Sequence, residues 1–113
     1  MERKKYDSPS NDGIIYELSD NNNLIGGAKI VIANDVLLLK ALYVKPEYRQ
    51  QKYGSFILNH IEKDNINDVS SIKSELLLFS DIGYENLILF YEKNGYEYKI
   101  FHMIKEIKKE SQV

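Results

Sequence analysis

The spacing of apolar residues changes abruptly near the middle of the chain, and this change most constrains the fold. Residues from Ile14 to Val44 form three short apolar segments separated by "DNNN" and "ND". Asn and Asp tolerate left-handed backbone, so both sequences are typical of turns. The pattern predicts an antiparallel meander of three strands. Pro46 ends the third strand, and from Gln50 onward the apolar residues follow a helical period.

Two helices are predicted after the proline. The first would carry one apolar face, formed by Tyr53, Phe56, Ile57, His60 and Ile61. The second would end at "KNG", where Gly95 suits a left-handed cap. Its apolar stripe would be Tyr84, Leu87, Ile88 and Tyr91.

Two more strands complete the predicted order, β-β-β-α-β-α-β. "SELLLFS" predicts a strand covered on both faces, and "YEYKIFHMIKEI" predicts a last strand. A helix between the third and fourth strands favours a parallel pair with a right-handed crossover. The chain is therefore predicted to be an α/β protein with a mixed sheet. Residues 13–108 would form the single domain, after a flexible arm at residues 1–12 and before a charged tail at residues 109–113.

Composition excludes several classes of site. The chain has 113 residues and a net charge of −2, which fits one domain and gives no electrostatic case for general nucleic-acid binding. The absence of cysteine excludes disulfides and thiolate chemistry, and two unclustered histidines predict no metal site. No apolar stretch approaches the roughly 20 residues that span a bilayer. The N-terminus lacks the apolar core of a signal peptide, so a soluble, cytoplasmic protein is expected.

The loop "RQQKYGS" has the composition of an anion site. It leads from a strand into a helix, whose first backbone N–H groups have no internal partners and carry partial positive charge. Arg49 and Lys52 add charge beside these donors, and Gly54 permits close approach to the backbone. The residue types alone indicate a phosphate cradle only weakly, because many loops contain an arginine and a glycine.

Two motifs resemble the GCN5-related N-acetyltransferase (GNAT) family. "LYVKPEYRQQKYGSFILNHIE" is similar to the strand, Arg-x-x-Gly-x-Gly/Ala loop and helix that hold the pyrophosphate of acetyl-CoA on backbone amides. "ENLILFYEKNGYEY" resembles the family's downstream element. There Asn86 and Tyr91 match residues that contact the cofactor arm and its sulfur. Both motifs occur in the family's order, and the resemblance extends from about Ile14 to Ile107.

The resemblance implies an acetyl-CoA-dependent N-acetyltransferase that needs no metal. The acceptor would be a primary amine on a protein lysine, a protein N-terminus or a small molecule. The implied cofactor-binding residues are Leu42, Tyr43, Val44, Arg49, Gln50, Gln51, Lys52, Tyr53, Gly54, Ser55, Asn86 and Tyr91.

Two departures from the family pattern have consequences. Lys52 replaces a usual glycine, and it could still offer its N–H if its backbone is not left-handed. The family also has one or two helices between its first two strands, where they shape the acceptor site, and this chain has no room for them. The acceptor site is thus expected to be open, or completed by a second subunit in a homodimer or by a protein acceptor.

The resemblance also implies a mechanism. A backbone N–H around Leu42 to Val44 would hold the oxyanion, and the phenol of Tyr91 would protonate the departing thiolate. Tyr91 could instead simply complete the apolar stripe of its helix.

The general base stays open. Lys40 replaces a glutamate that many relatives carry, and a cationic lysine is a poor base unless burial depresses its pKa. Glu17, Glu75 and His102 are candidates by proximity in the expected sheet. His60 is interpreted as a packed histidine at the edge of the core. A water chain would remove the need for any dedicated base.

A different class of function is compatible with the same features. The small size, Lys52 and the missing helices would also suit a protein of this fold that binds acyl-CoA weakly, or not at all, and acts by docking on a partner. Fold alone does not decide between the two.

Overall fold

The computed structural model describes residues 1–76, 82–99 and 102–107. Within these ranges the chain forms seven strands, two α-helices and one 3₁₀ turn at Pro46–Tyr48. The helices are α1 (Tyr53–Asp64) and α2 (Tyr84–Lys93). The strands are β1 (Glu2–Asp7), β2 (Ile14–Asp20), β3 (Asn23–Ala33), β4 (Val36–Val44), β5 (Ser71–Glu75), β6 (Glu97–Lys99) and β7 (His102–Glu106).

All seven strands lie in one mixed sheet, in the order β1-β2-β3-β4-β5-β7-β6. β4 and β5 pair in parallel, and every other neighbouring pair is antiparallel. The predicted fold class and the parallel pair are therefore confirmed. The predicted left-handed cap after α2 is also confirmed, since Gly95 has φ 89°.

Two predictions at the ends of the sheet are wrong. The loose arm predicted for residues 1–12 contains β1, whose side chains are exposed and whose backbone pairs with β2. Its polar composition hid the strand, because an edge strand need not bury either face. The single last strand is instead two short strands, β6 and β7, which pair with each other. The tail at residues 109–113 and most of "LLLFS" lie outside the described residues.

The buried face of α1 is rotated from the predicted one. Ile57, Leu58 and Ile61 are buried, whereas Phe56 is 41% exposed. The stripe predicted for α2 is confirmed, with Tyr91 buried and Leu87 and Ile88 packed against the core.

Both helices cover the same face of the sheet, and the described residues include no helix on the other face. Strand register assigns Tyr6, Glu17 and Tyr43 to this second, open face. The rings of Tyr6 and Tyr43 are 41% and 43% exposed. β1 and β2 are joined only by residues 8–13, and the Ser8 amide donates to the Gly13 carbonyl across this turn.

A polar cluster ties β1 and β2 to the C-terminal end of α1. Tyr16 donates its hydroxyl proton to Asp64 (2.6 Å), and Lys5 donates to the same carboxylate (2.7 Å). Asn65 donates to the Tyr16 hydroxyl (3.1 Å) and to the Ile61 carbonyl (2.8 Å). These contacts fasten the edge of the sheet to the helix layer. In the described part of the chain neither helix is long and apolar enough to cross a membrane.

Candidate active site

The sheet opens between β4 and β5 at a β-bulge. Ile30 pairs with Leu39 and Lys29 pairs with Ala41, so Lys40 is an extra residue in β4. Among the described residues, pairing between β4 and β5 ends at the same point, with Leu39 and Ser74. A bulge bends its strand and disrupts the ladder locally. Residues 40–44 of β4 therefore border a gap in the sheet.

Two backbone amides of β4 face this gap. The Lys45 amide donates to the Ile25 carbonyl of β3 (2.8 Å). Strand residues alternate in the direction of their backbone groups. The amide of Tyr43 therefore points towards β3, and those of Leu42 and Val44 point into the gap. Among the amides of Leu42 to Val44, which were predicted to include the oxyanion donor, those of Leu42 and Val44 therefore point into the gap.

The N-terminus of α1 adjoins the gap and offers further donors. The Phe56 amide makes the first i→i−4 hydrogen bond of the helix, to the Lys52 carbonyl (3.0 Å). The preceding amides, those of Tyr53, Gly54 and Ser55, have no carbonyl within the helix. No side chain caps this end, and no acidic residue lies in its first turn.

Lys52 lies directly before these amides in a left-handed conformation. Its φ is 66° and its ψ is 13°, and Gln50 has φ 62°. A left-handed backbone costs a non-glycine residue roughly 1–2 kcal/mol. The condition under which Lys52 was expected to offer its own N–H, a backbone that is not left-handed, is therefore not met. The loop keeps the backbone shape that a glycine would adopt easily, and Lys52 and Gln50 both adopt it at a cost.

Gly54 lets the two helices approach each other. A Cβ atom built there would lie 3.1 Å from Cε1 of Phe90, on α2, and its φ is not positive. Within the protein, the close approach of Phe90 is therefore what favours glycine at this position. Asn94 adds a second link, because its side-chain amide donates to the Ser55 hydroxyl (3.1 Å) and to the Phe90 carbonyl (2.9 Å).

A groove of about 860 Å³ runs from the α1 N-terminus along β4 to α2. Every predicted cofactor-binding residue except Gln51 lines it. The Gln51 side chain instead donates to the Glu47 carbonyl (3.5 Å). The structure brings these residues together, and their role in binding stays a prediction. The predicted residues that line the groove are Leu42, Tyr43, Val44, Arg49, Gln50, Lys52, Tyr53, Gly54, Ser55, Asn86 and Tyr91.

Two of these side chains are held by backbone carbonyls. Arg49 Nε donates to the Val44 carbonyl (3.0 Å), which fixes the guanidinium across the turn from β4. The Asn86 side-chain amide donates to the Ile82 carbonyl (3.0 Å), which fixes it in the first turn of α2.

The groove ends at a small pocket of about 110 Å³ at the gap. Leu42, Leu87 and Tyr91 line both spaces, so the two adjoin there. Tyr91 is 3% exposed, and its hydroxyl accepts a hydrogen bond from Ser74 (2.9 Å). Burial raises the pKa of Tyr91, against a smaller lowering by Ser74, so the phenol keeps its proton at neutral pH.

The candidate bases lie at different distances from the gap. Glu75 and Lys40 line the small pocket, and His102 is the register partner of Glu75 on β7. Glu17 lies on β2, two strands away from the gap. His60 packs edge-on against the Tyr16 ring at a centroid distance of 5.7 Å, and burial lowers its pKa.

Sequence reasoning missed three contributors to the site: Ser74, Phe90 and Asn94. Ser74 carried a usable signal, because it is a polar residue on the same face of its strand as the apolar Ile72 and Leu76. Such a buried hydroxyl requires a partner. Phe90 and Asn94 gave no signal, because their importance comes from contacts between α1 and α2. No group of His, Asp and Glu in the described ranges could hold a metal ion.

The chain also matches a family model. Residues 11–98 match the acetyltransferase (GNAT) domain. The chain belongs to the GNAT family. This membership confirms the predicted enzyme class, an N-acetyltransferase that uses acetyl-CoA, while the acceptor and the roles of single residues stay predictions. No curated protein sequence matches the chain.

Solved GNAT structures share this fold. The PaiA N-acetyltransferase from Thermoplasma acidophilum, in complex with coenzyme A, is similar with 25% identity and a TM-score of 0.72. That match covers 84% of this chain and 61% of the Thermoplasma chain. The ribosomal-protein-S18-alanine N-acetyltransferase from Escherichia coli has 17% identity and a TM-score of 0.75, with 89% and 73% covered. GCN5 from Tetrahymena has 13% identity and a TM-score of 0.72, with 90% and 72% covered.

Proposed function

We propose that this GNAT protein binds acetyl-CoA along the groove and transfers the acetyl group to a primary amine at the gap. The observation that carries the proposal is the continuity of the groove. It leads from the uncapped N-terminus of α1 to the buried hydroxyl of Tyr91. A similar solved GNAT structure contains coenzyme A, which has a phosphate-rich end and a thiol end that suit these two positions.

The pyrophosphate would lie at the start of α1. The amides of Tyr53, Gly54 and Ser55 would donate to its oxygens, and the helix dipole would favour its negative charge. The ammonium of Lys52 would add a charge contact, which salt should weaken.

The thioester would lie in the gap beside β4. The amide of Val44 would bind the cofactor arm, and the amide of Leu42 would donate to the carbonyl oxygen as it becomes an oxyanion. Preorganised backbone donors are well suited to that role. Asn86 would contact the same arm from α2.

Transfer would require one new bond and one broken bond. The amine nitrogen would attack the thioester carbonyl carbon, and the carbon–sulfur bond would then break. The leaving thiolate would take the hydroxyl proton of Tyr91, and solvent would return a proton to the Tyr91 phenolate. The amine's excess proton would pass to a base at the gap and then to solvent. Glu75 is the acidic residue among the candidate bases that lines the small pocket, so it is proposed to accept that proton, directly or through water.

The acceptor is proposed to be a macromolecule, a protein lysine or chain terminus, or else the site is shared across a homodimer. The open sheet face and the short 8–13 connection support this proposal, because residues 1–76, 82–99 and 102–107 supply no helix there to enclose a small amine. A protein acceptor brings its own surface. Efficient turnover of a free small amine by a monomer would contradict it.

Thermal unfolding with and without acetyl-CoA tests the binding proposal. A ligand at 100 times its Kd should stabilise the fold by about 2.7 kcal/mol. Gly54→Val should displace Phe90 into the groove and remove that stabilisation, and Gly54→Ala should remove less of it. If Gly54→Val binds as tightly as the parent, the assigned site is wrong. Binding without acetyl transfer to any amine would instead favour a docking protein.

A further inference from the structure

The hydroxyl groups of Ser74 and Tyr91 form an isolated pair beside the small pocket. Ser74 is 2% exposed and Tyr91 is 3% exposed. Ser74 Oγ donates to Tyr91 Oη over 2.9 Å, and both residues line the pocket. In the described part of the chain no other side chain bonds to either hydroxyl.

The direction of this bond decides where the phenolic proton points. A phenol has one proton to donate. Because Ser74 donates its hydroxyl proton to the oxygen of Tyr91, the Tyr91 proton is directed away from Ser74. Both residues face the pocket, so the proton is available there. A serine that accepted the bond instead would have withdrawn that proton.

The backbone of Ser74 is fixed on both sides. It pairs with Leu39 of β4 and with Met103 of β7, and it is the last β5 residue paired with β4 before the gap. Its inward neighbour Ile72 is fully buried and apolar. An alanine would fill the same position without burying a hydroxyl, so the hydroxyl itself needs an explanation.

We propose that Ser74 is a positioning residue for acetyl transfer. Its hydroxyl directs the Tyr91 proton towards the cofactor sulfur and stabilises the phenolate that forms when the proton leaves. This proposal rests on the proposed function, in which Tyr91 is the proton donor. The shift in acidity agrees with it, because the Ser74 bond opposes the rise that burial causes in the Tyr91 pKa.

The main experiment compares Ser74→Ala with the parent in two backgrounds, Tyr91 and Tyr91→Phe. With Tyr91 present, kcat should fall about 10-fold, the size expected for a lost hydrogen bond to a charged group, while KM for acetyl-CoA stays unchanged. In the Tyr91→Phe background Ser74→Ala should cause no further loss, since the two residues act as one unit. Ser74→Thr keeps a hydroxyl and should keep most of the activity.

A second measurement does not depend on turnover. The ¹³Cζ resonance of Tyr91 in labelled protein should titrate at higher pH in Ser74→Ala than in the parent. If Ser74 acted only through packing, independently of the Tyr91 hydroxyl, Ser74→Ala would lower Tm and reduce kcat by the same factor in both backgrounds. That result, or an unchanged kcat in Ser74→Ala, would overturn the proposal. A parent that binds no acetyl-CoA would instead overturn the proposed function, and this proposal with it.

Discussion

The two ends of α1 differ in how far their polar groups are paired within the protein. At the C-terminal end Asp64 accepts hydrogen bonds from Tyr16 and Lys5, and Asn65 donates to the Tyr16 hydroxyl and the Ile61 carbonyl. At the N-terminal end no side chain caps the free amides, and Lys52 lies beside them. The polar groups at one end are paired within the protein, whereas the first three amides at the other end have neither a carbonyl within the helix nor a side-chain cap.

Each end of α1 also has a side chain whose charge the helix dipole disfavours at that end. The dipole favours anions at the N-terminus and cations at the C-terminus, yet Lys52 lies at the first and Asp64 at the second. β1 resolves the conflict at Asp64 by supplying Lys5. At the other end a bound phosphate would resolve it. The comparison teaches that changes near Asp64 should affect stability, and changes near the groove should affect binding and rate.

The largest expected effect is that of Tyr91→Phe. This change keeps the ring and its packing but deletes the proton. General-acid catalysis typically contributes about 10²–10⁴-fold, so kcat should fall by that factor while acetyl-CoA affinity changes little. Steady-state kinetics would measure this fall. The buried Ser74 hydroxyl loses its acceptor, so the free energy of unfolding should fall by about 1–3 kcal/mol. The matched control is Tyr84→Phe on the same helix, which removes a hydroxyl bonded to Tyr98 of β6. Full turnover in Tyr91→Phe, together with unfolding of Tyr91→Ala, would assign Tyr91 to the core alone.

Asp64→Ala should have the next largest effect, on stability alone. The Tyr16 hydroxyl is part of a nearly buried residue and would lose its acceptor, at a cost of about 1–3 kcal/mol. Chemical denaturation would measure the loss, and kcat per folded molecule should be unchanged. Asp68→Ala removes an exposed carboxylate nearby and should have no effect. A loss of acetyl-CoA affinity in Asp64→Ala would break the comparison between the two ends.

Lys52→Gly should separate backbone strain from charge. Relief of the left-handed conformation should raise the free energy of unfolding by up to about 1 kcal/mol. Loss of the ammonium should weaken acetyl-CoA binding, and this loss of affinity should become smaller as the salt concentration rises. Gln50→Gly relieves the same strain without a change of charge, and Lys52→Gln removes the charge while keeping the strain. A marked gain in affinity for Lys52→Gly would show that the lysine obstructs the cofactor.

Acidification should cause the smallest effect, at His60. Burial and the neighbouring Arg3 and Lys5 lower its pKa, against a smaller rise from Asp64. The neutral ring is therefore favoured in the folded state. Its contribution to stability is present above the ordinary pKa of 6.5 and is lost as the pH falls through the folded value. Tm should drop by less than about 4 °C in this window. His60→Gln should remove this part of the pH dependence, and an unchanged profile would contradict the assignment.

Much of the fold could be predicted from the sequence because it depends on local patterns. The turns at "DNNN" and "ND", the helical period after Gln50 and the cap at Gly95 all follow from short-range chemistry. β1 was not readable, because an edge strand with exposed side chains has no apolar alternation. The division of the last strand into β6 and β7 was not predicted either, because "YEYKIFHMIKEI" contains no Gly, Pro, Asn or Asp to mark a break.

The candidate site was readable only in part. The motifs gave the groove residues, but the reason for Gly54 lies in Phe90, which is distant in sequence. The left-handed backbone at Lys52 could not be inferred from a lysine, because that residue type disfavours it. The Ser74 bond required knowing that α2 crosses β5 at that point.

The bulge at Lys40 has an evolutionary consequence. Deleting Lys40 would make Leu39 and Ala41 consecutive, and their partners Ile30 and Lys29 are already consecutive. The ladder between β3 and β4 would then be regular and β4 would lose its bend. A regular β4 and a bulged one thus differ by one inserted codon. The bend of β4 therefore depends on the number of its residues, whatever side chain residue 40 presents to the small pocket.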